Sequence, residues 1–425
     1  TDYEGAQSHI ERDDNENVHY EWRPVTGRVD GYRLRELIAA DKLKRDEAWI
    51  QLHDIKTGAS LNYGRGSVFW NEFRQRWVML SAPQAGEIWF AEADTPVGPW
   101  VYACKVVSHD AYNFYNPTQH PFFDQEGGRL IYFEGTYTAS FSGAREKTPR
   151  YDYNQIMYRL DLADPRLALP APVYRLKTGN ETPRYAMREE IESQNAWAHV
   201  EEVAFFAIPP GRQRAEHIPV FAGTEEQRFL LSLEAPGPTR TAAKPLFYAW
   251  PAVDAPASPT LTGTWNCKAI TKGRGSELPV RLNLKLDGER LTATSNQEGI
   301  SVGKGTFQDG ELVITLTGGD AVYVLAGTLK SGMLTGTWKK IGSDEEGTWE
   351  GASAESTVAE SRSPMVAPLY QYRREEKKAR FYSTAPDLGD DLVRRSTQPL
   401  CRVWRNPMSL LIIDPDAKPV RTGTN

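Results

Sequence analysis

Cysteine is scarce in this chain. Cys104, Cys267 and Cys401 are the only ones in 425 residues, and they lie far apart, without metal-ligand spacing and too few for a disulfide scaffold. Cys104 sits in an apolar run and reads as a small buried hydrophobe. No stretch reaches the ~18 consecutive apolar residues that mark a membrane-spanning helix, so none is expected. A GxSxG elbow, HExxH, CxxC, a P-loop and a dinucleotide fingerprint are all absent, which takes the simplest support from those mechanisms. Basic residues are not in excess. The 50 Lys and Arg against 56 Asp and Glu give a formal charge of −6, which argues against nucleic acid as a partner. The opening, TDYEGAQSH, has no initiator Met, basic n-region or apolar h-region. It reads as a processed or cut product whose targeting segment lies elsewhere, and the scarcity of cysteine does not argue against export.

Aromatic and turn-forming residues are plentiful: 12 Trp, 19 Tyr and 15 Phe beside 34 Gly and 28 Pro. The length exceeds one ordinary core, so roughly two to four domains are expected. Between Gly66 and Leu162 the chain reads as four-strand units laid end to end. The first is SVFW (Ser67–Trp70), a turn at Asn71–Gln75, RWVML (Arg76–Leu80), EIWFAEA (Glu87–Ala93) and WVYACKVV (Trp100–Val107). The second is HPFF (His120–Phe123), a turn at Asp124–Gly128, RLIYFEGTY (Arg129–Tyr137) and YNQIMYRLDL (Tyr153–Leu162), with a fourth strand beginning at Pro172. Repetition of such a unit marks the blades of a β-propeller, at ~40–60 residues a blade. Two blades cannot close a ring that takes ~4–8, so the missing blades are expected from a second chain or from repeats later in this one. Ahead of them, Leu34, Leu37, Ile38 and Leu43 predict a helix over Tyr32–Arg45, and Ile50–Gly58 contains an extended segment ending at a Gly turn.

After Leu162 an internal repeat begins: a strand that starts just after Pro, a polar hairpin, and a second aromatic strand. PVYRL (Pro172–Leu176) precedes PRY (Pro183–Tyr185), PVFAG (Pro219–Gly223) precedes QRF (Gln227–Phe229), and PLYQY (Pro368–Tyr372) precedes ARFYS (Ala379–Ser383). PLFYAW (Pro245–Trp250) and PLCRVW (Pro399–Trp404) add two more opening strands, and Ala186–Trp197 reads as a short helix. The repeat is interrupted by a β-rich stretch flanked by the linker-like runs Val253–Thr260 and Ser353–Pro364. Inside it, LNLKLDGERLTAT alternates around an Asp287–Gly288 turn, and the phrase Gly-Thr-Trp occurs at Gly263, Gly336 and Gly347. Such strands predict a small barrel closed by its first and last members, with Trp265, Trp338 and Trp349 as core or end plugs rather than ligand platforms. Its interior could hold a small apolar ligand.

GSVFWN…RQRWVML…GEIWFAEADTPVGPWVYACKVV followed by YNPTQHPFFDQEGGRLIYFEGTYT resembles the glycoside-hydrolase-like five-bladed β-propellers, the arabinanase, β-xylosidase and levansucrase–invertase group. ADTPVGPW (Ala93–Trp100) is similar to a loop between outer strands of their blades. The resemblance covers Leu61–Leu162. It implies a five-bladed propeller, incomplete in this chain, over residues 1–168. With the β-repeat module over 169–252 and 366–425 and the inserted barrel over 259–352, which by itself looks lipocalin-like, the expected fold is all-β. The resemblance also implies a secreted, periplasmic or cell-surface protein with an oligo- or polysaccharide partner. Those families set carboxylates on different blades around a central funnel, and this chain offers only some of the blades.

The residues themselves nominate a site. Glu134 interrupts an apolar run, and burial there would raise its pKa toward that of a general acid; pairing with Arg129 or Arg159 is the structural alternative. Glu87 takes the comparable place in the preceding unit, so the two are the candidate catalytic carboxylates, with their separation deciding retention or inversion. Asn116, Gln119 and His120 stand at the entry to an inner strand, where His120 can orient a carboxylate, bind a sugar hydroxyl, ligate a central ion or be satisfied by backbone. Tyr137, Tyr153, Asn154 and Gln155 suit a funnel rim, behind a charged loop at Arg150–Asp152. No cofactor is demanded, though the channel of such a propeller leaves a place for a structural Ca2+. Two functions remain open: a carbohydrate-active hydrolase, or a carbohydrate-binding or cell-surface interaction protein without turnover.

Overall fold

The computed structural model describes residues 7–13, 16–18, 20, 29–62, 64–109, 111–148, 151–179, 182–226, 228–236, 244–252, 261–273, 277–287, 289–295, 302–308, 310–330, 333–353, 363–374, 379–386, 388 and 393–416. The flank Val253–Thr260, most of the flank Ser353–Pro364, Arg150 and Gly288 lie outside them. The chain divides into two units, residues 1–252 with 363–425, and residues 253–362. The architecture is all-β and multi-sheet, with one closed eight-stranded barrel.

In the first unit, Asp30 caps the helix α1 (Gly31–Ala39) by accepting from the N–H groups of Tyr32 and Arg33. The helix stops at Ala39, short of the expected Arg45, because Asp41 takes a left-handed φ of 52°. Leu43 is still buried, reached by the irregular chain beyond. Strands β1 (His53–Asp54), β2 (Arg65–Asn71), β3 (Arg76–Ala82), β4 (Glu87–Ala93) and β5 (Tyr102–Ser108) form one sheet in the order β1-β5-β4-β3-β2. The β2–β3 turn is set by Asn71, whose Oδ1 accepts from Arg74 N at 2.8 Å. Ala93–Trp100 links β4 to its neighbour β5 through reciprocal Thr95–Gly98 backbone bonds of 3.0 Å, inside the sheet rather than between outer strands as expected.

The next sheet has three strands, β6 (Asn113–Gln119), β7 (Leu130–Thr138) and β8 (Asn154–Asp161). Its first strand ends before the expected HPFF. Pro121 donates no backbone bond and instead opens a 3-10 turn over Pro121–Phe123. On β7 the buried residues Ile131, Phe133 and Gly135 alternate with the more open Leu130, Tyr132 and Glu134. Gly135 is required where it stands, since a Cβ there would lie 2.6 Å from the ring of Phe114. The strand after Pro172 does not complete this sheet. It is β9 (Ala171–Leu176), which joins another.

That sheet also contains β10 (Arg184–Ala186) and β11 (Val200–Ala207), with α2 (Arg188–Ser193) between them, shorter than the expected Ala186–Trp197. β12 (Ile218–Glu225), β13 (Arg228–Ser232) and β14 (Phe247–Ala249) form a small sheet in the order β13-β12-β14. The Pro-led repeats are antiparallel hairpins, β9 with β10 and β12 with β13. One apolar core cluster joins Val78, Leu80, Ile88 and Phe90 of the first sheet, Phe114, Ile131 and Phe133 of the second, and Tyr174 and Phe206 of the third.

The second unit is built from β15 (Gly263–Thr271), β16 (Glu277–Asp287), β17 (Arg290–Ser295), β18 (Val302–Gln308), β19 (Glu311–Gly318), β20 (Ala321–Lys330), β21 (Met333–Lys340) and β22 (Glu346–Ser353). Each pairs with the next, and β15 closes on β22, as the alternation predicts. The interior is filled by side chains: Trp265, Leu282, Leu291, Ile314, Leu334 and Trp349 belong to one packed cluster, with Trp338 partly buried against it. The chain then returns to the first unit through β23 (Val366–Arg374), β24 (Ala379–Ser383), β25 (Val393–Arg395) and β26 (Cys401–Trp404). β26 lies between β11 and β23, so segments from before and after the barrel share one sheet. All three cysteines are buried, and burial pushes the thiols of Cys104 and Cys267 up to about 12. Among the described residues no helix is long and apolar enough to cross a membrane.

Candidate functional site

The open face of β6–β8 brings together two of the expected residues, Glu134 and His120. Glu134 is flanked across the strands by Thr118 and Met157, while Arg159 stands opposite Tyr132. His120 follows β6 and is held by its own N–H, which donates to Tyr132 O at 2.9 Å. Its Nε2 lies 3.3 Å from Glu134 Oε1, so the partner of Glu134 is His120 rather than Arg129 or Arg159. Phe122 and Phe123 are carried beside this pair by the 3-10 turn, with ring centroids 5.3 and 6.1 Å from the imidazole and 4.5 Å from each other. They are 73% and 49% exposed, a costly arrangement for two phenyl rings in water. Tyr132 extends the group, 6.5 Å from Phe123.

Gln119 faces the other way, as its alternation with His120 requires, and is buried. Its N–H donates to Ser67 Oγ at 2.9 Å and its Nε2 to Asp124 Oδ2 at 3.3 Å. Gln119 Oε1 and Asp124 Oδ1 are both buried without a hydrogen-bond partner. Burial pushes the Asp124 carboxyl up to about 6, against the pull of bonds from Tyr132 N–H and Gln119. A proton on Asp124 would satisfy both orphaned oxygens at once.

The remaining residues are dispersed along the sheet. Asn116 is exposed at a bulge in β6, with a left-handed φ of 51°, and its Oδ1 accepts from Arg65 Nη1 at 3.5 Å. Tyr137 packs on His109 with centroids 4.8 Å apart and on Tyr112 at 5.2 Å. Its pKa is raised by burial and by Tyr112. Tyr153 is 52% exposed and hydrogen-bonds with Tyr115, Asn154 donates to Tyr151 O, and Gln155 Nε2 donates to Thr136 Oγ1 at 3.1 Å.

Glu87 belongs to a different place. It lines a cleft of about 250 Å³ with Asn62, Gln84, Trp89 and Lys105 on the first sheet. Burial pushes its carboxyl up, but hydrogen bonds from Lys105, Trp89 and Gln84 outweigh this and hold it below the usual range. Trp89 Nε1 donates to it at 3.0 Å, and the Lys105 ammonium both pairs with it and lies 5.4 Å from the centre of the Trp89 ring. Glu87 is an ion-paired carboxylate. It shares no partner with Glu134.

A buried charge network escaped the reading of the sequence. Glu92 sits between Arg74 Nε at 3.1 Å and Arg212 Nη1 at 2.6 Å, and Asp94 between Arg76 Nη2 at 2.6 Å and the donating Tyr174 hydroxyl at 2.7 Å. Burial raises the pKa of both acids. For Glu92 the guanidinium groups of Arg212, Arg74 and Arg76 overcome it, whereas Asp94 stays above the usual carboxylate range despite Arg76 and Tyr174. The signal was available, since FAEAD puts two acids in an apolar strand just as IYFEG puts one.

No family model and no curated protein matches this sequence. Among solved structures, a bifunctional GH43-CE protein of Bacteroides eggerthii aligns with 71% of this chain at 8% identity and a TM-score of 0.14, and the S. cerevisiae core factor with 70% at 7% and 0.13. The alignments span 47% and 59% of those chains. At such scores neither likeness carries weight for fold or function.

Among the described residues, no group of three or more His, Cys, Asp and Glu side chains is placed to hold a metal ion. At the open face His120 and Glu134 offer one nitrogen and one carboxylate, a poor match to the ~6–8 oxygen ligands of Ca2+.

Proposed function

We propose that the open face of β6–β8 binds an oligo- or polysaccharide, and that the two N-terminal sheets are blades of a propeller completed by other strands. The observation that carries this reading is the pair of exposed rings, Phe122 and Phe123, packed around an imidazole that meets a carboxylate. Phenyl faces cover sugar C–H surfaces, while Glu134 and His120 accept from and donate to hydroxyl groups, the mixture a polar ligand of low charge needs. A glycan partner implies a protein that works outside the cytoplasm. Hydrolysis is the second reading. It is favoured by the 3.3 Å approach of His120 Nε2 to Glu134 Oε1, which sets an imidazole against a carboxyl group, two side chains of the kind that serve general acid–base catalysis. Glu87 is no acid for it, because Lys105 and Trp89 hold it ionised.

A glycan array probed with the full chain, followed by product analysis on every bound glycan, tests the two readings. The binding reading expects saturable binding without products, kept in folded Glu134→Gln. Turnover that Glu134→Gln abolishes would replace it with the hydrolase reading, and an empty array would reject both.

A further inference from the structure

We infer that the saccharide taken by this face is acidic, with uronate carboxylates read by Arg159; this rests on the proposed binding role of the face. Arg159 is exposed on β8, directly across from Tyr132. Neighbouring guanidiniums are committed elsewhere: Arg129 to Asp161 at 2.8 Å and to Glu126 at 2.9 Å, and Arg65 to Asn116. Among the described residues Arg159 has no hydrogen-bond or ion-pair partner, although acids lie close in the sheet. Glu134 is its diagonal neighbour, ~7–8 Å away by strand geometry, and has His120 instead. Asp161, two residues along β8, is held by Arg129.

A planar fork of donors left open beside an aromatic ring suits a carboxylate carried on a sugar ring. The carboxylate takes both arms of the guanidinium while the ring to which it is attached covers Tyr132. The next sugar then falls toward Phe123 and the His120–Glu134 pair, where hydroxyl groups are needed and a second charge is not. Asp161 is taken up by Arg129, Glu134 is turned to His120, and the residue beside Arg159 on this face of β8, Met157, is uncharged. A neutral saccharide uses the rings and the His120–Glu134 pair but leaves the guanidinium to water.

The test is calorimetric titration of the full chain with trigalacturonate and with the neutral trisaccharide of the same linkage and ring configuration. The uronate is expected to bind roughly tenfold more tightly at low salt, the size of a charge-assisted hydrogen bond, with the advantage shrinking as salt rises from about 50 to 500 mM. Arg159→Gln is expected to bring the two affinities together, and unchanged circular dichroism shows that the sheet is intact. Equal affinities for the two probes in the unmodified chain, or an advantage that survives Arg159→Gln, would overturn the inference while leaving a saccharide-binding face in place. A sulfated trisaccharide that binds when the uronate does not would overturn it as well. Failure of both trisaccharides and of every glycan on the array would remove the face's proposed role together with the inference.

Discussion

Between Gly263 and Ser353 each strand has a neighbour on either side, and among the described residues none of the buried polar ones falls there. Outside that span the described residues bury Arg74, Arg76, Glu92, Asp94, Gln119, Arg188 and His217. The difference follows from closure. In a closed barrel, a strand that slips by one residue turns its inward Leu and Trp outward against two neighbours, so alternation fixes the register. The open sheets share that constraint on their buried faces and add a second one, made of charges. In the first unit Glu92 on β4 and Asp94 just beyond it meet arginines carried by the β2–β3 turn, by β3 and by the loop after β11, and a slipped strand would leave those charges buried and unpaired. Polar groups left over in such an interior, such as Gln119 with Asp124, are where pH sensitivity collects.

Glu92→Ala should have the largest effect. It leaves Arg74 and Arg212 buried without their shared carboxylate, and a loss of roughly 3–5 kcal/mol is expected in denaturant unfolding of the first unit. The barrel transition should stay where it is; a shift of both together would show that the two interiors are not independent. Leu334→Ala opens a hole in the barrel at a fully buried position and should cost ~2–5 kcal/mol there alone.

A smaller effect is expected at Asp124. Its pKa in the fold, about 6, lies above the unfolded value. The stabilisation is therefore complete below pH ~4 and is lost as pH rises through ~6. His217, pushed down to about 4 by burial, has the opposite sign and costs stability as pH falls below ~6.5. Asp124→Asn, an uncharged mimic of the protonated acid, should raise the unfolding midpoint at pH 7 and leave it unchanged at pH 4. The gain should be on the order of 1 kcal/mol once solvent screening of a half-exposed carboxyl is allowed for. An unchanged midpoint at pH 7 would show that Asp124 is ionised without cost. The smallest effect belongs to replacing residues 259–352 by a short Gly/Ser linker, which should leave the transition of the first unit intact.

Most strands were legible in the sequence, because short aromatic and β-branched runs between Gly, Pro and Asn turns have few other ways to fold. The Pro-led hairpins were legible for the same reason. What local pattern could not show was partnership: β9 leaves the second sheet, and β26 returns to lie beside β11 from nearly two hundred residues away. Glu134 stood out as an acid in an apolar run, yet its pairing with His120 depends on where Pro121 ends β6. By sequence alone Phe122 and Phe123 read as strand residues. Their exposure comes from the 3-10 turn, which removes them from the alternation that would have buried one of them.

The central claim, that the open face of β6–β8 rather than the cleft at Glu87 receives the ligand, is most directly tested by one titration series. The highest-affinity glycan from the array is titrated into the unmodified chain, into Phe122→Ala/Phe123→Ala and into Glu87→Gln. At least a tenfold loss in the double variant, with Glu87→Gln indistinguishable from the unmodified chain, is the predicted result. Full affinity in the double variant, or a loss confined to Glu87→Gln, would contradict it.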